Sequence, residues 1–233
     1  MIKVFKVFQQ GDEYYEKLSN PEFAGKYVLQ QILLILIFSI LYGIIMGSYN
    51  GFQQSLVTGI KIPVLIFLSI IVCFPALFVV QFMIGSKMSV IQMANMILSG
   101  FVVFTTISLS FSTIVIFFMI TGNNYGFIKL LHVAIFSFSG IFAMKTIIGG
   151  LKYSCEKKNV YPKTGLNIFK IWIFIFAFVS AQLAWNLRPF IGSKNLPFEL
   201  FRMKEGNFYL AVIQSFTDMF NPEKSNSDPT ENK

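Results

Sequence analysis

The feature that most constrains this chain is a series of long apolar stretches with few or no charged side chains. The longest, residues 88–120, contains 33 residues. About 20 apolar residues in a helix are enough to cross a hydrocarbon core of about 30 Å. Hydrophobic residues make up 55% of the chain and charged residues 13%, whereas soluble domains carry about 25% charge. One soluble core cannot bury this much apolar surface. The sequence therefore predicts an all-α, polytopic transmembrane helical bundle.

The hydropathy pattern predicts five spans. Four of them fit a bilayer without adjustment: residues 28–47, 62–82, 127–149 and 166–187. Residues 88–120 would make a helix of about 50 Å, which is too long for a straight span. They form either one long, kinked helix or a hairpin of two short ones. Five spans keep the lysine-rich loop 152–163 on the cytoplasmic side, as the positive-inside rule requires, and six would not. We therefore expect a long and kinked third span.

Local signals inside the spans predict their ends and depth. Pro63 is expected in the first turn of the second span, where its missing N–H costs nothing. The pair Gly149-Gly150 is expected to end the fourth span. Trp172 and Trp185 lie thirteen positions apart in the fifth span, about 20 Å along a helix, and are expected in the two aromatic belts of the membrane.

The remaining segments complete a division into four parts. Residues 1–27 are a cytoplasmic N-terminal leader, whose start is either a short interfacial helix or a disordered tail, and residues 28–187 are the five-span bundle. Residues 188–220 form an external interfacial segment, and the polar residues 221–233 are expected to be disordered. The arrangement predicts a multi-pass protein of the plasma (inner) membrane, with a cytoplasmic N-terminus and an external C-terminus.

Several chemistries are disfavoured by the residues that the spans lack. Between Glu22 and Glu199 the only carboxylate is Glu156, so the spans lack the acidic groups that proton- or sodium-coupled transporters use. One histidine and two distant cysteines, Cys73 and Cys155, supply no zinc ligand set and no nucleophile–base pair. We expect no catalytic residue, metal or cofactor, and no enzymatic activity. Most of the basic residues that give the net charge of +8 lie outside the spans, which favours a role in orienting the protein in the membrane rather than in nucleic-acid binding.

Small residues recur every four positions at the end of the first span. They are Ser39, Gly43, Gly47 and Gly51. A ridge of small side chains lets another helix approach closely, so we expect helix packing along this face. The partner helix belongs either to the same chain or to a second copy.

A second candidate site is a polar path in the third and fourth spans. Thr105, Ser108 and Ser112 share one helical face, and His132 is the only histidine. Such hydroxyls more often bond carbonyls of their own helix or pack against a neighbouring one. The bend of the third span is expected among them. The ordinary interpretation of His132 is a side chain that is bonded to a carbonyl or reaches the interface.

The third candidate site is an external contact formed by Arg188, Glu199, Arg202 and Glu205. Both arginines of the chain lie here, and the planar guanidinium suits carboxylate and phosphate groups. The segment either contacts a partner or a lipid head group, or seals the end of the bundle.

Residues 42–51 (YGIIMGSYNG) and the elements RPFIGS, FELFR and EGNFY within residues 188–209 carry a resemblance to known proteins. Over residues 28–220 the chain resembles a family of small polytopic bacterial membrane proteins of unassigned function. Its layout is also similar to that of Yip1-type five-span proteins, which act in membrane trafficking and organisation. We predict a non-enzymatic component of a membrane assembly, whose partners are the lipid bilayer and another protein or a second copy. The alternative is a passive channel or permease subunit that uses the hydroxyl-lined face of the third span.

Overall fold

The computed structural model describes residues 12–20, 24–121, 125–191, 200 and 213. Every regular element within these residues is a helix, and the third crossing consists of two helices, α4 and α5. The helices are α1 (Asp12–Ser19), α2 (Ala24–Gly47), α3 (Phe52–Met83), α4 (Val90–Ser110), α5 (Ser112–Thr121), α6 (Tyr125–Glu156) and α7 (Lys163–Leu187). Five crossings are long and apolar enough to span a membrane, which confirms the predicted all-α, five-span bundle.

The third crossing is one bent helix and not a hairpin. Helices α4 and α5 follow each other directly, and only Phe111 leaves the helical pattern between them. The Phe111 amide still donates to the Ile107 carbonyl at 3.1 Å. The Ser110 hydroxyl donates to the Thr106 carbonyl at 2.9 Å, a type of bond that often bends helices. The bend therefore falls within the hydroxyl cluster, as predicted.

Two predicted helix ends are wrong. Helix α3 begins at Phe52, ten residues before the predicted start, so Pro63 lies inside the helix and not in its first turn. Helix α6 continues through Gly149 and Gly150 to Glu156. These glycines are contact points, because a Cβ on Gly149 would lie 2.5 Å from the Tyr15 hydroxyl oxygen and one on Gly150 would lie 2.5 Å from the Met96 sulfur.

Helices α2 and α3 form the most extensive contact of the bundle. A Cβ on Gly43 would lie 2.6 Å from the Thr58 carbonyl oxygen, and one on Gly47 would lie 2.6 Å from the Gln54 carbonyl oxygen. The two backbones therefore touch where the small residues of α2 face α3. Helix α4 packs between α2 and α6, and α7 packs mainly on α3.

Helix α1, which lies within the predicted leader, covers one end of the bundle. Its Tyr14, Tyr15 and Leu18 are buried. The Tyr15 hydroxyl donates to the Thr146 carbonyl at 3.2 Å, and burial raises the pKa of Tyr15 to about 12, so the hydroxyl keeps its proton. The side-chain amide of Gln92 donates to the Ser19 carbonyl at 2.8 Å. We call the end of the bundle that α1 covers the α1 end, and we call the other end the opposite end.

Two ion pairs join α1 to the connection that follows α6. Lys157 lies 3.9 Å from Asp12, and Lys158 lies 3.8 Å from Glu16. All four side chains are substantially exposed. Pairs of this kind contribute about 0–1 kcal/mol, so the buried tyrosines and Leu18 supply most of the docking energy.

We predict that Gly47→Ala lowers the melting temperature of the protein in detergent. The added methyl group must push apart two backbones, which costs about 1–3 kcal/mol and exceeds the gain of up to about 1 kcal/mol in helix propensity. Gly140→Ala in α6 is the control, because no atom lies within 4 Å of the added Cβ. It should leave the melting temperature unchanged or raise it. Equal effects of the two substitutions would contradict close packing at Gly47.

Candidate functional site: a buried polar cap at the opposite end

A lysine lies inside the apolar bundle at the opposite end. Because α3 begins at Phe52, Lys61 lies about 14 Å along the helix, and it is only 6% exposed. The predicted second span began at residue 62, which left Lys61 in the external connection before it. Ionisable groups at this depth are costly and commonly mark functional positions.

The Lys61 ammonium donates to backbone carbonyls of the chain that follows α7. Its acceptors are the Pro189 carbonyl, at 3.2 Å, and the Leu200 carbonyl. Carbonyl dipoles that point at a buried ammonium replace part of the hydration that it loses. The lysine therefore fastens Pro189 and Leu200 to α3.

Three more side chains donate hydrogen bonds to the backbone carbonyls of residues 189–191. The side-chain amide of Gln54 donates to the carbonyls of Pro189 and Phe190 at 3.0 and 3.2 Å. The Thr58 hydroxyl donates to Phe190 at 2.7 Å. From α6, the Tyr125 hydroxyl donates to the Ile191 carbonyl at 2.8 Å. We call these side chains and carbonyls the polar cap. Positions 54, 58 and 61 share one face of α3, which explains how one helix contributes three donors.

Arg188 is the one residue of the predicted external contact that the structure describes. Its guanidinium carbon lies 3.4 Å from the centre of the Trp185 ring, which is a cation–π contact. The Arg188–Pro189 peptide is cis. Glu199, Arg202 and Glu205 lie outside the described residues, as do residues 1–11 and 221–233.

His132 pairs with a tyrosine in the interior. It is 2% exposed, and its Nδ1 lies 2.7 Å from the Tyr42 hydroxyl oxygen. The two rings meet edge to face at 5.7 Å. With the hydroxyl as donor, the proton of the neutral imidazole is on Nε2, which has no hydrogen-bond partner among the described residues. Among the described residues, His132 thus bonds a tyrosine hydroxyl and not a carbonyl, and its burial keeps it from the interface, so the ordinary interpretation is wrong.

The hydroxyls of the third crossing mostly bond carbonyls of their own helix. Thr105 donates to Phe101 at 3.0 Å, and Thr106 donates to Val102 at 2.6 Å. Ser108 instead reaches Ser139 of α6 at 3.1 Å, about two turns from His132. Ser112 lies beyond the bend and is partly exposed. Of the predicted path residues on α4, Ser108 thus bonds a residue of α6, while Thr105 bonds a carbonyl of its own helix.

The buried polar side chains within α2, α4 and α6 form two layers that an apolar layer separates. Near the α1 end are Gln31, Asn95, Ser99 and Thr146; nearer the opposite end are Ser39, Tyr42, Thr105, Ser108, His132 and Ser139. Between them the buried residues of these three helices are apolar, with Ile35 on α2, Val102 on α4 and Ala143 on α6. On α3, the buried Ser69 donates to the Leu65 carbonyl of its own helix at 2.8 Å. The apolar layer is about 10 Å thick. This is the helical rise from Ser99 to Thr105 on α4 and from Ser139 to Thr146 on α6.

The predicted small-residue ridge divides into packing and turn positions. Gly43 and Gly47 contact α3 of the same chain. Ser39 is buried and bonds the Leu36 carbonyl at 3.1 Å. Gly51 has φ +136° and open space around its Cβ position, so its role is in the α2–α3 turn.

Polar side chains also join the remaining helices. The indole nitrogen of Trp172 donates to the Cys73 carbonyl at 3.3 Å, and Trp172 is buried, so its predicted place in an aromatic belt is wrong. Gln81 donates to the Gly165 carbonyl at 3.1 Å. Cys155 is buried in the last turn of α6 and not in a loop.

Comparison of the chain with protein-family models, with curated proteins and with solved structures found no match. The resemblance to Yip1-type proteins therefore stays a prediction. Among the described residues, no group of three or more His, Cys, Asp and Glu side chains is arranged to hold a metal ion.

We predict that Lys61→Met loosens the chain that follows α7. Methionine has a similar length but donates no hydrogen bond, so the carbonyls of Pro189 and Leu200 lose a charged donor worth about 1.5–3 kcal/mol. Limited trypsin digestion in detergent, read by mass spectrometry, should show faster cleavage after Lys194 and Arg202. Lys170→Met, on the exposed side of α7, should leave the rates unchanged. Unchanged cleavage in Lys61→Met would show that the lysine does not fasten this segment.

Proposed function

We propose that this chain is a non-enzymatic component of a membrane assembly, of the organisation or trafficking type. One observation carries the proposal: segments of its own backbone are fastened across both ends of the bundle. Helix α1 covers one end through Tyr14, Tyr15 and Leu18, and the polar cap holds residues 189–191 and Leu200 at the other. This arrangement supports a packed membrane element more than an open conduit.

The bundle interior supports the same proposal. Ser108 and Ser139 bond each other, and Tyr42 bonds His132, so these polar groups join helices. The apolar layer at Ile35, Val102 and Ala143 separates the two polar layers. An apolar constriction excludes water by dewetting, so it opposes conduction through the interior.

The second candidate is a passive channel or permease subunit. Two buried side chains favour it, because the amide atoms of Gln31 and Nε2 of His132 have no hydrogen-bond partner among the described residues. Buried polar atoms without a partner are costly and are often satisfied by water. On this interpretation the apolar layer is a closed gate between two wet layers.

Ion flux into proteoliposomes separates the two candidates. We expect wild-type protein and Val102→Ser to conduct no more than protein-free vesicles, because a single hydroxyl in a packed layer can bond its own helix. A gate would conduct once its apolar layer became polar. Ile37→Ser, at a residue that is 48% exposed on α2, is the control. Flux through Val102→Ser and not through Ile37→Ser would favour the channel.

The assembly proposal has its own measurement. Protein extracted with its native lipids into discs should give, by native mass spectrometry, a complex of defined stoichiometry that is heavier than one chain. A single chain with lipid alone would contradict the proposal.

We also propose that the α1 end faces the cytoplasm of the plasma (inner) membrane. The lysines near this end, among them Lys87, Lys152, Lys157 and Lys158, support this orientation by the positive-inside rule.

The orientation is tested with single cysteines in a protein without Cys73 and Cys155. The native Cys155 is a poor reporter because it is buried. In intact cells, a membrane-impermeant maleimide should label Phe52→Cys at the opposite end, a residue that is 78% exposed. It should label Lys158→Cys only after the membrane is opened. The reverse pattern would overturn the orientation.

A further inference from the structure

A cavity that is lined by polar and apolar side chains lies at the α1 end between the helix ends. Its volume is about 390 Å³, within the range of small-molecule sites. The lining includes Glu16 from α1, Gln92 from α4, Ser154 from α6, Lys158, and the apolar side chains of Met88 and Val160.

The walls of this cavity are fixed by hydrogen bonds between distant parts of the chain. The Lys87 amide donates to the Val160 carbonyl at 2.8 Å, which joins the two connections that form one side. The Gln92 side chain donates to the Ser19 carbonyl at 2.8 Å, which joins α4 to the end of α1. The Val160 amide donates to the Ser154 carbonyl at 3.2 Å. The cavity is therefore part of the folded bundle.

The charges that line the cavity specify the kind of ligand. Lys158 and Glu16 lie 3.8 Å apart, near the limit of an ion pair, and both side chains are well exposed. Such a pair is weak and opens at little cost. A simple anion would meet the carboxylate of Glu16, and a simple cation would meet the ammonium of Lys158. A ligand with one positive and one negative group satisfies both side chains at once.

The position of the cavity indicates where such a ligand comes from. Gln92 is in the first turn of α4 and Ser154 is in the last turn of α6, where the third and fourth crossings begin and end. Val90 and Ile91, next to Gln92, are 48% and 50% exposed and suit contact with acyl chains. A ligand with a polar head and apolar tails can occupy the cavity and this apolar surface together.

We propose that this cavity binds the phosphoethanolamine head group of phosphatidylethanolamine. Lys158 binds the phosphate, and the carboxylate of Glu16 accepts hydrogen bonds from the primary ammonium. Met88 and Val160 contact the methylene groups of the head group. A trimethylammonium group donates no hydrogen bond, so phosphatidylcholine binds this site less well. Because Glu16 belongs to α1 and Lys158 follows α6, the lipid strengthens the docking of α1.

The test compares thermal unfolding in lipid discs of three compositions. They contain phosphatidylcholine alone, phosphatidylcholine with phosphatidylethanolamine, and phosphatidylcholine with phosphatidylglycerol. Phosphatidylethanolamine should raise the melting temperature of the wild type by on the order of 3 °C above phosphatidylcholine alone. Phosphatidylglycerol should not match this increase.

Substitutions assign the effect to the cavity. Glu16→Gln and Lys158→Gln should each abolish the difference between the lipid compositions, whatever they do to stability in phosphatidylcholine alone. Glu13→Gln and Lys152→Gln are the controls, because Glu13 pairs with Lys17 within α1 and Lys152 pairs with Glu156 within α6. Both controls should keep the full effect of phosphatidylethanolamine.

Three results would overturn the proposal. The first is an equal increase with phosphatidylglycerol, which would indicate a response to anionic lipid in general. The second is an increase that survives Glu16→Gln and Lys158→Gln. The third is an increase with soluble phosphoethanolamine added to phosphatidylcholine discs but none with the lipid, which would identify a soluble ligand.

Discussion

The bilayer interior offers no water, so every polar group that enters it must find a partner within the protein. Helices satisfy this requirement for the backbone, and the described crossings are helical throughout except at Phe111. The same requirement explains the polar cap. Where α7 ends, the carbonyls of Pro189, Phe190 and Ile191 have no helical partners, and side chains of α3 and α6 supply the donors. Lys61 is tolerated at this depth because the carbonyls of Pro189 and Leu200 supply oxygen atoms that water would otherwise provide.

Contact between helices in lipid has no hydrophobic driving force, because acyl chains are as apolar as leucine. Close packing and hydrogen bonds between helices take its place, and both occur here. Gly43 and Gly47 let α2 and α3 touch along their backbones. Ser108 with Ser139 joins α4 to α6, and Trp172 with the Cys73 carbonyl joins α7 to α3. The small and polar residues of the spans are thus mainly points of attachment between helices.

Hydropathy was enough to predict the crossings, because long uncharged runs have no other stable environment. It failed at the start of α3, because the predicted span began at residue 62 and left Gln54, Thr58 and Lys61 outside it. These residues face inward, and only their spacing on one helical face signals a polar cap. The docking of α1 was missed because Tyr14, Tyr15 and Leu18 are too few for a hydropathy signal. Their burial depends on a surface that α4 and α6 create together. Trp172 was misplaced for a similar reason, since its acceptor is a carbonyl on another helix.

The two ends of the bundle differ in the exposure of their charged contacts, and this difference matters for any role in an assembly. At the opposite end, buried side chains bond buried carbonyls, and salt screens such contacts little. At the α1 end, two exposed ion pairs, Lys157 with Asp12 and Lys158 with Glu16, join the helix to the bundle. Their interaction falls as ionic strength rises or as charged lipids compete. Salt and charged lipids therefore act only on this weaker, electrostatic part of the attachment of α1, because the buried Tyr14, Tyr15 and Leu18 supply most of its docking energy.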